Sequence, residues 1–173
     1  MFLMAAGIRS INIHDLLTYR RAFRNLSEKK AQIADIMENH YLCPNCRGHL
    51  RVGDHIVFKI RNKKREKGLL LLHPEVGNYT SIKHPSFSFK EGERVDFFCP
   101  LCMIHLDAAI DENLVHVLMI DKKGKEHQVY FSRIAGEQST IKVSNEGVHR
   151  TGVHSYRYTH FVMSDKHIPY LQN

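Results

Sequence analysis

The residues best suited to chemistry in this chain are its cysteines. Cys43-Pro44-Asn45-Cys46-Arg47-Gly48-His49-Leu50 and Cys99-Pro100-Leu101-Cys102-Met103-Ile104-His105-Leu106 both read C-P-x-C-x-x-H-L, and together they hold all four cysteines. Two C-x-x-C pairs are the usual ligand set of a structural zinc ion, because a two-residue spacer lets two thiolates converge on one metal at about 2.3 Å each. Proline after the first Cys fixes φ and favours a tight knuckle. A dithiol redox centre is the competing reading. It wants one C-x-x-C at a helix start in a βαβ context, which neither pair has. The sequence therefore predicts one structural Zn²⁺ held by Cys43, Cys46, Cys99 and Cys102. His49 and His105 follow the two pairs in equivalent places, where they could donate hydrogen bonds to the thiolates or to nearby backbone.

A second set of residues carries charge. Lys and Arg number 25 against 18 Asp and Glu, a net charge of +7 with 13 His neutral. Such a balance favours polyanions: nucleic acid, an acidic protein surface or an anionic membrane. Arg61, Lys63, Lys64, Arg65 and Lys67 form one basic run, and Lys122, Lys123 and Lys125 form another at an expected hairpin tip. Arg150, Tyr156, Arg157 and Tyr158 interleave cations with rings, a pattern suited to single-stranded RNA. The expected partner is a macromolecule, protein or RNA. The alternative is a small metal-dependent enzyme built on His149, His154 and His160, which sit close in sequence. Glu146 is the one carboxylate beside that group, and no nucleophile is arranged with it.

These residues need elements to position them. Residues 1–40 read as a helical arm: Asn12 or Asp15 caps a helix carrying Leu16, Leu17, Phe23 and Leu26, and Ser27 caps one carrying Ile33, Ile36 and Met37. After the first cysteine pair the period switches to two. Leu50–Val52 and His55–Ile60 read as a hairpin or a bent strand around Gly53-Asp54, followed by a charged loop over residues 61–68. Leu69–Leu72 reads as a short buried strand, and Arg94–Phe98 as a strand leading into the second pair. Val115–Ile120, the turn Asp121–Lys125 and His127–Ile134 form the clearest hairpin. Ser139–Val143 and Ser155–Met163 supply two further strands around Gly147 and Gly152.

At 173 residues the chain suits one domain with appendages. The expected organisation is an arm at 1–40, a zinc-binding β core at 41–134 and a β extension with a tail at 135–173. No run approaches the ~18 apolar residues of a membrane span, no signal peptide is read at the start, and all cysteines are committed to C-x-x-C pairs. The expectation is a cytoplasmic protein without a membrane partner.

Fifty-two residues separate Cys46 from Cys99, far more than the roughly 15–20 that common zinc fingers enclose. The zinc must therefore clamp two distant parts of a β structure, not close one small finger. In this setting Tyr41-Leu42-Cys43-Pro44-Asn45-Cys46-Arg47-Gly48-His49-Leu50 resembles the Y-x-C-x-x-C-R-x-H-L opening of Yippee proteins. Asp54, Ile56-Val57 and Lys59 match that family's D-x-I-V-x-K stretch. Gly68 with the following leucines, Asn78, and Val95-Asp96-Phe97-Phe98-Cys99 are similar to its later motifs. The resemblance covers about residues 41–134. It implies an all-β β-tent (Mss4-like) fold, two antiparallel sheets pinned by one zinc on four cysteines. That fold is shared with methionine-R-sulfoxide reductases, the drug-binding domain of cereblon and the RNA-binding end of certain innate-immune helicases. Yippee chains carry glycine soon after the second pair, where this chain has Met103 and Ile104. A sulfoxide reductase needs a nucleophilic Cys beyond the zinc ligands, and none is left over. Cereblon-type recognition uses tryptophans, which this chain lacks. Tyr79, Phe87, Phe89, Tyr130 and Phe131 are the candidates for a weaker aromatic cage, with core packing as their plainer role.

Overall fold

Period-two alternation after the first cysteine pair builds nearly all the regular structure. The computed structural model describes residues 38–159. A compact unit begins at Asn39. Its strands are β1 (His40–Leu42), β2 (Arg51–Val52), β3 (His55–Arg61), β4 (Lys67–Leu72), β5 (Ser81–Lys83), β6 (Asp96–Phe98), β7 (Asp107–Ala108), β8 (Asp111–Ile120), β9 (Glu126–Ser132), β10 (Thr140–Ser144) and β11 (Gly147–Thr151). They form two antiparallel sheets. One is six-stranded, in the order β1-β8-β9-β10-β11 with β7 also on β8; the other is five-stranded, in the order β2-β3-β4-β5 with β6 also on β3.

The chain order explains the role of the cysteines. Every strand of the five-stranded sheet lies between the two C-x-x-C segments, and every strand of the six-stranded sheet lies outside them. Residues 43–50 carry the chain from the six-stranded to the five-stranded sheet, and residues 99–106 carry it back. The long gap between Cys46 and Cys99 is thus an entire sheet.

The sheets face each other through alternate side chains. On β3, Ile56, Phe58 and Ile60 are buried while their neighbours are half-exposed, as a two-residue period demands. Phe58 and Phe97 of the five-stranded sheet meet Phe131 of the other, with ring centroids 5.3–5.5 Å apart. Tilted aromatic pairs at this spacing are favourable beyond their buried area. Val115, Val117 and Met119 of β8 and Val129 of β9 complete this core. The six-stranded sheet buries its opposite face as well, where Leu114, Tyr130, Ile141, Val143 and Tyr158 cluster.

The hairpin expected at Val115–Ile134 is present as β8–β9, paired in register from Leu114–Ser132 to Ile120–Glu126. Other expectations change. The charged loop after β3 is shorter, because Arg61 pairs with Lys67 as the last rung of β3–β4. The Leu69–Leu72 run alternates instead of being wholly buried: Leu70 packs in the core while Leu69 is 54% exposed. An apolar run fits an open sheet face as readily as a covered one. The last strand is Gly147–Thr151, paired with β10 about the turn that follows Ser144. The stretch expected as a strand from Ser155 instead begins with a 3₁₀ turn at Ser155–Arg157. The helical arm expected over residues 1–40 lies outside the described residues, apart from its end, where His40 opens a strand.

Candidate metal centre

The two cysteine knuckles have the same backbone. In the first, Arg47 N donates to Cys43 O, Cys43 N to Gly48 O, and Leu50 N to Tyr41 O. In the second, Met103 N donates to Cys99 O, Cys99 N to Ile104 O, and Leu106 N to Phe97 O. Both turns need a left-handed residue directly after the second cysteine. Arg47 (φ 58°) and Met103 (φ 62°) take that place, an unfavourable conformation for side chains other than glycine. Leu50 and Leu106 end the two segments fully buried, so each knuckle is anchored from below. The knuckles also approach each other: a Cβ on Gly48 would lie 2.4 Å from Leu101 Cδ1, the tip of an exposed side chain.

This framework brings together sulfurs as much as 59 residues apart in sequence. Cys43 Sγ stands 3.8 Å from Cys102 Sγ, and Cys46 Sγ stands 3.8 Å from Cys99 Sγ. All four Sγ atoms lie within 4.8 Å of one another, an arrangement that could hold a metal ion. The first cysteine of each pair is buried and the second reaches the surface. Leu101 N and Cys102 N point at Cys99 Sγ at 3.4 and 3.5 Å, and Asn45 Nδ2 approaches Cys102 Sγ at 3.9 Å. Such donors stabilise thiolate charge. Without a cation the thiols diverge. Burial pushes Cys43 up to about 12 and raises Cys99, while the Ile104 amide holds Cys102 down to about 6. A bound cation reverses the logic for the buried pair and deprotonates them outright.

His49 and His105 occupy matching positions but turn elsewhere. His49 meets the His40 ring edge-on at 5.8 Å; His105 packs on Phe98 at 4.2 Å and lies 3.6 Å from Asp107. Among the described residues neither hydrogen-bonds a cysteine sulfur. Each closes a single antiparallel bridge after its knuckle, His49 with Leu42 and His105 with Phe98.

Beside the cysteines runs a feature that sequence reasoning missed. Arg133 is 2% exposed. Its Nε donates to Val95 O at 2.9 Å, Nη1 to Asp107 Oδ1 at 2.6 Å and Nη2 to Asp96 Oδ1. Asp96 also accepts from Arg61 Nη2 at 2.7 Å. The network ties β3 and β6 of one sheet to β7 and the end of β9 of the other. Burial lowers the Arg133 pKa while Asp107 opposes the shift, and guanidinium stays charged at neutral pH. No spacing in the sequence marks this residue, because its partners are 26 and 37 positions away.

The eight candidate binding cations separate into two kinds. Arg61 is paired with Asp96 and lies over the Phe98 ring at 5.1 Å. Lys125 is paired with Glu146 at 2.7 Å. Lys63, Lys64, Arg65, Lys67, Lys122 and Lys123 are exposed and make no ion pair among the described residues. They sit at the β3–β4 and β8–β9 turns, on different sheets. Of the interleaved aromatics, Tyr158 is core and bonds Glu137 at 2.7 Å, Arg157 pairs with Glu137, and Tyr156 is exposed. His149 stands on β11 opposite Lys142. His154 Nδ1 accepts from Gln138 N at 3.0 Å, and His160 lies outside the described residues. The cysteines are the one cluster of three or more potential ligand groups found among the described residues. Phe87 packs in the core against Gly68, and Tyr130 stacks on His116 at 4.7 Å. Tyr79, Phe89 and Phe131 line a cleft between the sheets.

Among the described residues no helix is long and apolar enough to cross a membrane. The fold and the site define an all-β protein of two antiparallel sheets with a cluster of four cysteines at their crossings. Comparison with protein-family models, curated proteins and solved structures found no match.

Proposed function

We propose that this chain is a non-enzymatic, zinc-stabilised binding module, with the β-tent fold that its resemblance to Yippee proteins implies, and that it recognises a macromolecular partner, protein or RNA, the resemblance favouring protein and the charge favouring RNA. Zinc suits the donor set. Four bonds of about 2.3 Å arranged tetrahedrally put the sulfurs about 3.8 Å apart, and the cross-knuckle pairs stand at 3.8 Å. Four thiolates leave the ion no open position, so it supplies rigidity where the chain changes sheets. They also use every cysteine in the chain, leaving no thiol for redox or nucleophilic work.

One observation carries the binding reading: six of the eight candidate cations are exposed at two turns and make no ion pair among the described residues. Such charge is available to phosphates, whose binding would release counterions. The test is binding of single-stranded RNA by the zinc-loaded chain across a salt series. Affinity should fall steeply with salt. Replacing Lys63, Lys64 and Arg65 by Ala should flatten the log–log slope by about 2, at roughly 0.7 per lost phosphate contact. No binding at low salt removes RNA and leaves an acidic protein surface as the partner. Elemental analysis together with Cys99→Ser tests the metal: a folded, metal-free mutant would show that the site is not structural. The enzymatic alternative on His149, His154 and His160 requires that His154→Ala abolish a measurable activity in a protein that stays folded.

A further inference from the structure

The sheets do not close on each other along their whole length. A cleft of about 310 Å³ opens between them, away from the basic turns. That is near the lower bound of small-molecule pockets, which are mostly apolar with a few placed polar groups. Its walls carry half-buried apolar side chains, Leu72, Val76, Phe89, Phe131, Ile134 and Ala135. The segment between β4 and β5 forms one border and is fastened to the opposite sheet at three points. Tyr41 donates its hydroxyl to Pro74 O at 2.5 Å. Tyr79 donates to Thr151 O at 2.9 Å. Gly77 lies so close to Thr151 that a Cβ would stand 2.7 Å from its Cγ2. The opening is therefore framed by fixed backbone.

Two observations define what would fit. First, the charged groups at the cleft are already matched or solvated. Arg133 is held by Asp96 and Asp107. Glu137 receives Ser132, Tyr158 and Arg157. His73 Nδ1 accepts from Glu75 N at 3.1 Å and lies 3.9 Å from the Glu75 carboxylate. Glu75 is open to water. No charge there awaits an ionic ligand, and a buried ligand charge would go unpaired, which is costly. Second, Ser139 lines the cleft and is 1% exposed, yet its Oγ has no hydrogen-bond partner. A buried hydroxyl without a partner is uncommon and calls for an explanation.

We propose that the inter-sheet cleft is a binding site for a small, neutral, aromatic or aliphatic molecule bearing one hydroxyl, with the Ser139 hydroxyl as its hydrogen-bond partner. The site goes beyond the macromolecular binding argued above and shares no residue with the basic turns.

The experiment titrates the zinc-loaded full chain with benzyl alcohol, toluene, benzoate and benzylamine, and follows backbone amide shifts by NMR. Benzyl alcohol should give saturable shifts centred on residues 131–139 and 72–79. Benzoate and benzylamine should bind at least tenfold more weakly. Ser139→Ala should weaken benzyl alcohol about fivefold, the worth of one hydrogen bond, and leave toluene unchanged, since toluene has no donor. Ala135→Leu should fill the cleft and weaken both. The proposal is overturned if no probe saturates, if the shifts map outside the cleft, if either ion binds as tightly as the alcohol, or if Ser139→Ala affects toluene and benzyl alcohol equally. Far-UV circular dichroism and zinc content of each variant separate lost binding from lost folding.

Discussion

Arg133 links the two sheets through a single buried side chain. Replacing it by methionine keeps much of the buried volume and removes the fork. Val95 O then loses its side-chain donor. An acceptor stripped of its partner costs about 1–3 kcal/mol. Breaking one side of a fully buried ion pair costs about 3–5 kcal/mol. Here the carboxylates are only partly buried, with Asp96 29% and Asp107 44% exposed. Water can reach both, and Asp96 keeps Arg61, so that penalty is discounted by more than half. The expected loss for Arg133→Met is about 2–3 kcal/mol. Arg133→Ala adds roughly 2 kcal/mol for lost methylene burial. The assay is urea unfolding at fixed excess zinc, since metal bound to the native state shifts the apparent stability. The midpoint should fall with the slope unchanged. A double-mutant cycle should show coupling of Arg133 to Asp96, which lies on the other sheet, as well as to Asp107. A loss below about 1 kcal/mol for Arg133→Met, or no coupling of Arg133 to Asp96 across the sheets, would refute the claim that this network joins the sheets.

Other outcomes follow from backbone and charge. Gly152→Ala places a Cβ 2.2 Å from Gln138 O at φ +98° and should cost about 3 kcal/mol or more. Gly53→Ala, at φ +56° with nothing within 4 Å, should cost only about 1 kcal/mol; comparable losses from the two in denaturant titration would contradict the packing argument. Met103→Gly should relieve the left-handed turn and gain about 0.5–1 kcal/mol, whereas Met103→Val should destabilise, both read from the thermal midpoint. Asp121 is held down to about 2, chiefly by His127 and then by the Lys125 amide. A depressed carboxyl contributes stability that is present above its unfolded value near 3.8 and lost as pH falls through about 2. Hydrogen-exchange protection of the Lys123 and Lys125 amides, which donate to Asp121 Oδ1, should therefore drop across that window. Protection unchanged down to pH 2 would count against the cap.

The sequence alone determined which four cysteines come together, the all-β character of the described residues and the β8–β9 hairpin. Each is carried by local signals: two spacings of two residues, a two-residue alternation, and a polar turn between apolar runs. The length of the insert also placed the two cysteine pairs far apart along the chain, at the two ends of an intervening sheet. Where local pattern is ambiguous the reading failed. The leucines after Gly68 do not say which face is covered, and the residues after Gly152 do not say whether the chain extends or turns. Only the tertiary structure decided that each cysteine knuckle is a crossing between sheets, because sheet membership depends on long-range pairing. Only it revealed that Arg133 is buried, that Arg61 and Lys125 are paired with carboxylates 35 and 21 residues away, and that a cleft remains with Ser139 unpartnered beside it. Burial and ion pairing are properties of residues brought together in space, and single-residue identity does not encode them.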